Sequence, residues 1–250
     1  MELFAASDAH GFDLILMDVM MPVMDGTHLK TVKGRRGFAG LKKISFREKK
    51  GNVITMRAIE DRRSIRKYTD QSVSREQIEA VVRAAALAPS AKNRQPWKYL
   101  VYTGVSKEKL LDAMENGLKK EQESHALLPN SAFGLPNAFQ TLSVMRQAPV
   151  ILIVMDPDGV SPYEPVDSDR RLAEICDSLS IGASIQNLLL EAEELGLGTL
   201  WIANTCFAYN DLTAFLQEKG QLIGAVALGY AAESPHARPR KKLTEILEFR

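Results

Sequence analysis

The sequence predicts an α+β fold, a central mixed sheet covered by helices. Apolar residues recur at helical spacing over stretches of unequal length, and short apolar runs with strand character stand between them. The alternation lacks regular βαβ repetition, and no internal repeat is visible.

Composition changes character near Met56. From Gly34 to Lys50 the chain reads GRRGFAGLKKISFREKK, basic, glycine-rich and without a sustained period, as a linker or poorly ordered segment does. Residues 34–55 are therefore expected to link a short fragment, residues 1–33, to one domain spanning 56–250. Ser74 and Gln77 form a capping box, after which Ile78, Val81, Val82, Ala85 and Ala86 share a helical face. Ala88-Pro89-Ser90 ends that helix, and Trp97 to Tyr102 (WKYLVY) reads as a strand. Ser106 to about Ser124 reads as a polar amphipathic helix. The run PVILIVM, Pro149 to Met155, suits a strand covered on both faces.

Arg170 to Leu195 is the longest helical pattern, and Gly196 suits a left-handed cap at its end. Within it, Ile181-Gly182-Ala183-Ser184 places small residues where larger ones would otherwise fit. Glycine costs a helix roughly 1 kcal/mol relative to alanine, so close approach of another helix is the expected compensation. Thr199 to Ala203 and Ile223 to Tyr230 are further strands with a short helix between them. No clear reading emerges for Glu121 to Ala148, which contains Pro129, Gly134 and Pro136. Its Phe133 and Phe139 suit either stacking on a planar ligand or simple loop packing.

With 250 residues, 45% of them hydrophobic, the chain can build one large core or two small ones. Its net charge of +1 gives no reason to expect nucleic-acid or membrane partners, so any anion preference must come from local clusters. Cys176 and Cys206 have no CxxC spacing and read as buried small hydrophobes in a reducing compartment. His10, His28, His125 and His236 are scattered without ligand spacing, so no metal site is expected. Met1 is followed by Glu2 rather than by a basic stretch and a long apolar region, and the apolar runs are too short for a bilayer. A cytoplasmic protein is the expectation.

Three clusters carry possible chemistry. Arg62-Arg63-Ser64-Ile65-Arg66 offers three guanidinium groups and a hydroxyl that can surround a phosphate, or else a solvated helix face. Ala88 to Trp97 (APSAKNRQPW) holds a polar loop between two prolines, suited to a polyhydroxyl chain or merely a rigid turn. Arg238-Pro239-Arg240-Lys241-Lys242 follows a strand and turn, and alone reads equally as a basic surface tail.

The order RRSIRKY, APSAKNRQPWKY, LGLGTLWIA, GYAAESPHARPRKKL resembles the FMN-dependent nitroreductase superfamily over essentially all of Met56 to Arg250. RRSxR combined with PSxxNxQPW is far more specific than a lone glycine-rich loop. The resemblance implies a nitroreductase-like fold, FMN as cofactor, NADH or NADPH as donor, and a homodimer with its site at the interface. It further implies that Arg62, Arg63, Ser64 and Arg66 contact the FMN phosphate, ribityl chain or pyrimidine edge, with Arg240 completing the phosphate site. Arg66 is the candidate for stabilising charge on the ring. Pro89, Ser90, Ala91 and Asn93 would approach from the partner subunit, and Ile202 and Ala203 would lie near the flavin N5 edge. Ala203 stands where the family often has glycine. The cofactor carries the hydride chemistry, so no catalytic side chain is needed. The implied activity is ping-pong reduction of nitroaromatics, quinones or similar small electron-poor acceptors. Flavin-dependent dehalogenation or flavin conversion is the alternative. The Arg170–Leu195 helix, with Gly182, Ala183 and Ser184, is the expected dimer contact.

Phe12 to Gly26 (FDLILMDVMMPVMDG) resembles the phosphoacceptor segment of a response-regulator receiver, with Asp18 in the phosphorylated position. The resemblance covers only about one strand and turn, and no acidic pair precedes it to hold a cation. Asp18 is therefore expected to be idle, and a phosphorelay role is the remote alternative.

Overall fold

The computed structural model describes residues 46–48 and 54–250, with side chains from Met56 onward. The chain divides into two units, Met1–Lys43 and Ile44–Arg250. The receiver-like segment and Asp18 lie outside the described residues.

Strands β1 (Phe46–Glu48) and β2 (Ile54–Met56) pair antiparallel, so the stretch expected as a linker, residues 34–55, holds β1 and the first two residues of β2. Three residues are too few to display a period, which is why the sequence pattern did not reveal them. Helix α1 (Arg57–Asp61) follows directly. Helix α2 (Arg75–Ala85) opens with the expected capping box: the Gln77 amide donates to Ser74 Oγ at 3.2 Å and the Ser74 amide to Gln77 Oε1 at 3.0 Å.

Next come β3 (Lys98–Thr103), α3 (Gly104–Ser124), α4 (Leu135–Gln147) and β4 (Val150–Asp156). The chain continues through α5 (Ser168–Glu194), β5 (Gly198–Ile202), α6 (Tyr209–Leu216) and β6 (Gln221–Gly229). Helix α4 falls in the stretch left without a reading. Pro136 there occupies the first turn, where a missing N–H costs nothing, instead of breaking a helix. Phe139 packs against the core, whereas Phe133 is 87% exposed. Gly196 takes φ +74°, as a left-handed helix cap requires. Among the described residues, no helix is long and apolar enough to cross a membrane.

The main sheet has the order β3-β4-β6-β5, with every neighbouring pair antiparallel. Among the described residues, parallel pairing enters only as an isolated bridge between Ser64 and Thr199. Strand β4 is buried along all seven residues. Side chains alternate across a strand, so Ile151, Ile153 and Met155 join the core beneath α3, α4 and α6. Val150, Leu152 and Val154 join the second core beneath α2 and α5. Each such fully buried aliphatic side chain contributes roughly 1.5–3 kcal/mol.

Gly117 lies where α3 crosses the turn Asn204–Ala208; a Cβ there would meet Ala208 Cβ at 2.7 Å and its Cα at 2.8 Å. In an open helix Gly→Ala gains about 1 kcal/mol, but overpacking against backbone costs roughly 1–3 kcal/mol. Gly117→Ala is therefore expected to lower the melting temperature by a few degrees, and an increase on thermal denaturation would contradict this packing.

Candidate functional site

Helix α1 stops because Arg62, its C-cap, turns extended at φ −55°, ψ 132°. The chain then runs along the edge of β5, where the Ile65 amide donates to Thr199 O at 2.9 Å and Ser64 bridges Thr199. Ile65 points into the core and is 6% exposed. Gly198 makes room for it: a Cβ on Gly198 would meet Ile65 Cγ1 at 2.7 Å. Alternation in an extended chain then sends Ser64 and Arg66 to the opposite side. The segment is thus not a solvated helix face.

On that side lies a cavity of about 450 Å³ whose lining includes Arg62, Arg63, Ser64 and Arg66 from this segment, and His236, Arg238 and Arg240 from the C-terminal segment. The first and third sequence clusters therefore converge on one site. Arg63 is partly engaged elsewhere: its NH1 donates to Glu60 O at 2.6 Å and Arg62 O at 2.9 Å, a cation at the C-terminal end of α1. Arg240 NH1 donates to Arg238 O at 3.2 Å and to Pro239 O at 3.3 Å.

A second cavity, of about 280 Å³, shares Arg66 with the first and is lined by Ile202, Ala203, Asn204 and α4 residues including Asn137, Gln140 and Thr141. Ala203 has φ −103°, ψ −13°, an ordinary conformation for an L-residue, so replacing glycine there introduces no backbone strain. Asn204 Nδ2 donates to Asn137 Oδ1 at 2.9 Å and Thr141 Oγ1 at 3.0 Å, tying the end of β5 to α4.

Two groups absent from the sequence-derived site support the arginine segment. Glu233 Oε1 accepts the Arg66 amide at 2.5 Å. Tyr68 OH donates to Ile65 O at 3.0 Å, and burial, reinforced by Glu233, raises its phenol pKa well above the usual value. Glu233 lies four residues beyond the end of β6, and only the folded chain brings its carboxylate to Arg66, 167 positions away in sequence.

The loop containing Pro89, Ser90, Ala91 and Asn93 lines neither cavity. It lies instead against α5 of its own chain, where the Ala91 amide donates to Ser180 Oγ at 3.3 Å and Arg94 NH2 stands 3.0 Å from Asp177 Oδ2. Ser184, expected at a helix–helix interface, is buried within the chain: its hydroxyl donates to Ala85 O at 2.9 Å and lies 2.8 Å from Tyr99 OH. Burial raises the Tyr99 phenol to about 12, with the Ser184 bond opposing. Cys176 and Cys206 are free and half-buried rather than buried, and burial pushes the Cys206 thiol up. Among the described residues, no group of three or more His, Cys, Asp or Glu side chains gathers to hold a metal ion.

Fold and cleft together define an α+β protein with an arginine-lined cavity at the sheet edge. The chain belongs to the nitroreductase family, whose family model matches residues 59–230. It is 31% identical over 148 residues to an Archaeoglobus fulgidus protein described as an NADH dehydrogenase or NAD(P)H nitroreductase, covering 59% of this chain and 66% of that relative. It is 30% identical to a nitrobenzene nitroreductase of Ectopseudomonas oleovorans, over 76% of this chain and 93% of the relative. A nitroreductase-type protein of Desulfovibrio desulfuricans, solved in complex with FMN, superposes with a TM-score of 0.55 at 27% identity, over 77% of this chain and 94% of that one.

Asp156, at the end of β4, is 2% exposed, and its Oδ1 accepts the Asp158 amide at 3.1 Å. Burial raises its carboxyl pKa; the Asp158 amide opposes the rise and the charge of Asp177 adds to it. The folded chain therefore holds this proton more tightly than the unfolded chain. Stability falls as pH climbs from about 4 through the raised value. Asp156→Asn keeps the acceptor oxygen without the titration. It is expected to raise the melting temperature at pH 7, with the gain disappearing below about pH 4; a difference that is constant with pH would contradict this assignment.

Proposed function

We propose that this chain is an FMN-dependent oxidoreductase that passes hydride from NADH or NADPH to nitroaromatics, quinones or similar small electron-poor acceptors. The observation that carries the reading is the convergence of Arg62, Ser64 and Arg66 with Arg240 on one cavity that adjoins a second at Arg66. Such a pair of cavities fits a phosphorylated chain ending in a planar ring. Cations and a hydroxyl stand at one end, and the end of β5 stands at the other. Bound FMN supplies the hydride chemistry, and the protein holds it and shapes the pocket.

In this reading Arg62 and Arg240 grip the phosphate, with Arg63 in a lesser share because its guanidinium also serves the end of α1. Ser64 faces the ribityl chain, and Arg66 holds negative charge at the pyrimidine edge. The backbone at Ile202 and Ala203 would border N5. A ping-pong cycle would have nicotinamide and acceptor occupy the pocket in turn. The nitrobenzene nitroreductase name of one relative supports the choice of acceptor class.

The same reading makes the chain a homodimer. Leu172, Ile175 and Leu179 form an outward stripe on α5, 62%, 49% and 71% exposed, and Gly182 and Ala183 continue it in small residues. An apolar stripe on a long helix is a surface to be covered, and a second copy of α5 covers it symmetrically. Pro89, Ser90, Ala91 and Asn93 then reach the partner's flavin from beside this helix.

The primary test is the absorption spectrum of the purified protein after addition of FMN, then of NADH or NADPH without oxygen. A flavin spectrum that bleaches and is restored by a nitroaromatic is expected. Bleaching without restoration would move the chain to a family member with another end, such as reductive dehalogenation, and failure to take up FMN would refute the reading. Arg240→Ala is expected to weaken FMN about 10–100-fold, the loss of one charge-assisted contact, while leaving riboflavin affinity unchanged. Equal losses for both ligands in a fluorescence titration would remove Arg240 from the phosphate. For the dimer, sedimentation should give twice the chain mass for the native protein and one chain mass for Leu179→Glu; a native monomer contradicts it.

A further inference from the structure

The loop between α2 and β3 holds a backbone shape that two of its residues disfavour. Lys92, Asn93 and Gln95 all take left-handed angles, with φ of 53°, 53° and 51°. Asparagine enters that region readily, but lysine and glutamine crowd Cβ against the backbone there. Inside the loop, Ser90 Oγ accepts the Gln95 amide at 3.0 Å and Ser90 O accepts the Asn93 amide at 3.0 Å. These bonds close the turn without anchoring it.

Anchoring comes from α5. Ser180 Oγ accepts the Ala91 amide at 3.3 Å while donating to Cys176 O at 2.7 Å, which fixes the hydroxyl's direction. Two residues on from Asn93's neighbour Lys92, Arg94 reaches Asp177 Oδ2 at 3.0 Å. The Asp177 side chain is only 5% exposed against 37% for Arg94, and its Oδ1 is buried with no hydrogen-bond partner among the described residues. A buried charge with an incompletely satisfied carboxylate is a poor device for stability, since an apolar side chain would serve a core better. It is a good device for position, because only one placement of the loop brings a cation to it.

We infer that Asp177 and Arg94 are a positioning pair that locks the left-handed turn of residues 90–95 onto α5, presenting Ser90 and Asn93 in the shape the flavin site receives. The consequence for flavin rests on the FMN reading above; the locking itself rests on the loop geometry. If breaking the pair leaves the loop in its receiving shape a tenth of the time, FMN affinity falls by about tenfold, because apparent affinity scales with the competent fraction.

The experiment has two arms on the same proteins: native, Asp177→Asn, Arg94→Met and Arg94→Lys. Amide hydrogen exchange of the flavin-free protein reads the loop directly. Exchange across residues 90–95 is expected to rise about tenfold in Asp177→Asn and Arg94→Met and to stay near native in Arg94→Lys, with β4 and β6 protected in all four. Fluorescence titration with FMN is expected to show about tenfold weaker binding in the first two variants and recovery in Arg94→Lys. Native-like loop exchange in Arg94→Met overturns the positioning pair, whatever happens to FMN. A loosened loop with unchanged FMN affinity overturns its link to the flavin site. A native protein that takes up no FMN refutes the functional reading while the exchange arm still decides the pair. Arg94 lies at the surface, so its two variants decide the matter even if Asp177→Asn does not fold.

Discussion

Burial of β4 on both faces is the constraint from which the cleft follows. Every position from Val150 to Met155 is at most 1% exposed, with alternate side chains committed to opposite cores. A slip of one residue would exchange the two sets, so the register with β3 and β6 is strongly specified. Strand β6 then sets β5, and the far edge of β5 is left to accept Ser64 and Ile65, while Tyr68 bridges Ala231 just beyond β6. The cavity linings from Ile202 to Asn204 stand at the end of that same strand. Position at the site is thus inherited from a purely hydrophobic decision two strands away.

Cationic convergence costs electrostatic energy, and the structure shows how it is offset. Arg63 turns onto the C-terminal carbonyls of α1, and Glu233 takes the Arg66 amide. Glu193 lies close enough to Arg62 and Arg63 that they oppose the rise in its carboxyl pKa caused by burial and Asp61. Arginines gathered without such partners would repel one another, and the cluster would open toward solvent. The C-terminal segment is held at its start by the Ala232 amide, which donates to Lys67 O at 2.9 Å. That short link joins the two sequence clusters at the cavity.

Helix α5 has two unlike faces. Inward, Ser184 and Asp177 engage α2 and the 90–95 loop, and Ile181, Ile185 and Leu188 fill the second core. Outward, it shows an apolar stripe. The run Ile181-Gly182-Ala183-Ser184 is shared between the two roles: Ser184 belongs to the inside, and Gly182 has only Trp201 Cη2 at 3.8 Å from a would-be Cβ. Small residues in a helix therefore did not have a single meaning, because successive positions point 100° apart.

By itself, the sequence determined the elements whose signals are local: the Ser74–Gln77 box, the continuous apolar run of β4, the long pattern of α5 and its glycine stop. It also determined the family, because RRSIR, PSAKN and LGLGTLWIA occur in a specific order within the matched residues 59–230. Only the tertiary structure decided that RRSIR is extended, since those residues suit a helix as well and it was the open edge of β5 that supplied backbone partners. Tertiary structure alone also placed Arg240 and Arg62 on one cavity, put Pro136 in the first turn of α4, and brought Asn137 and Thr141 to Asn204. The division follows range: caps and apolar runs act over a few residues, whereas the cleft is made by contacts between residues 63 to 167 positions apart, which no local pattern encodes.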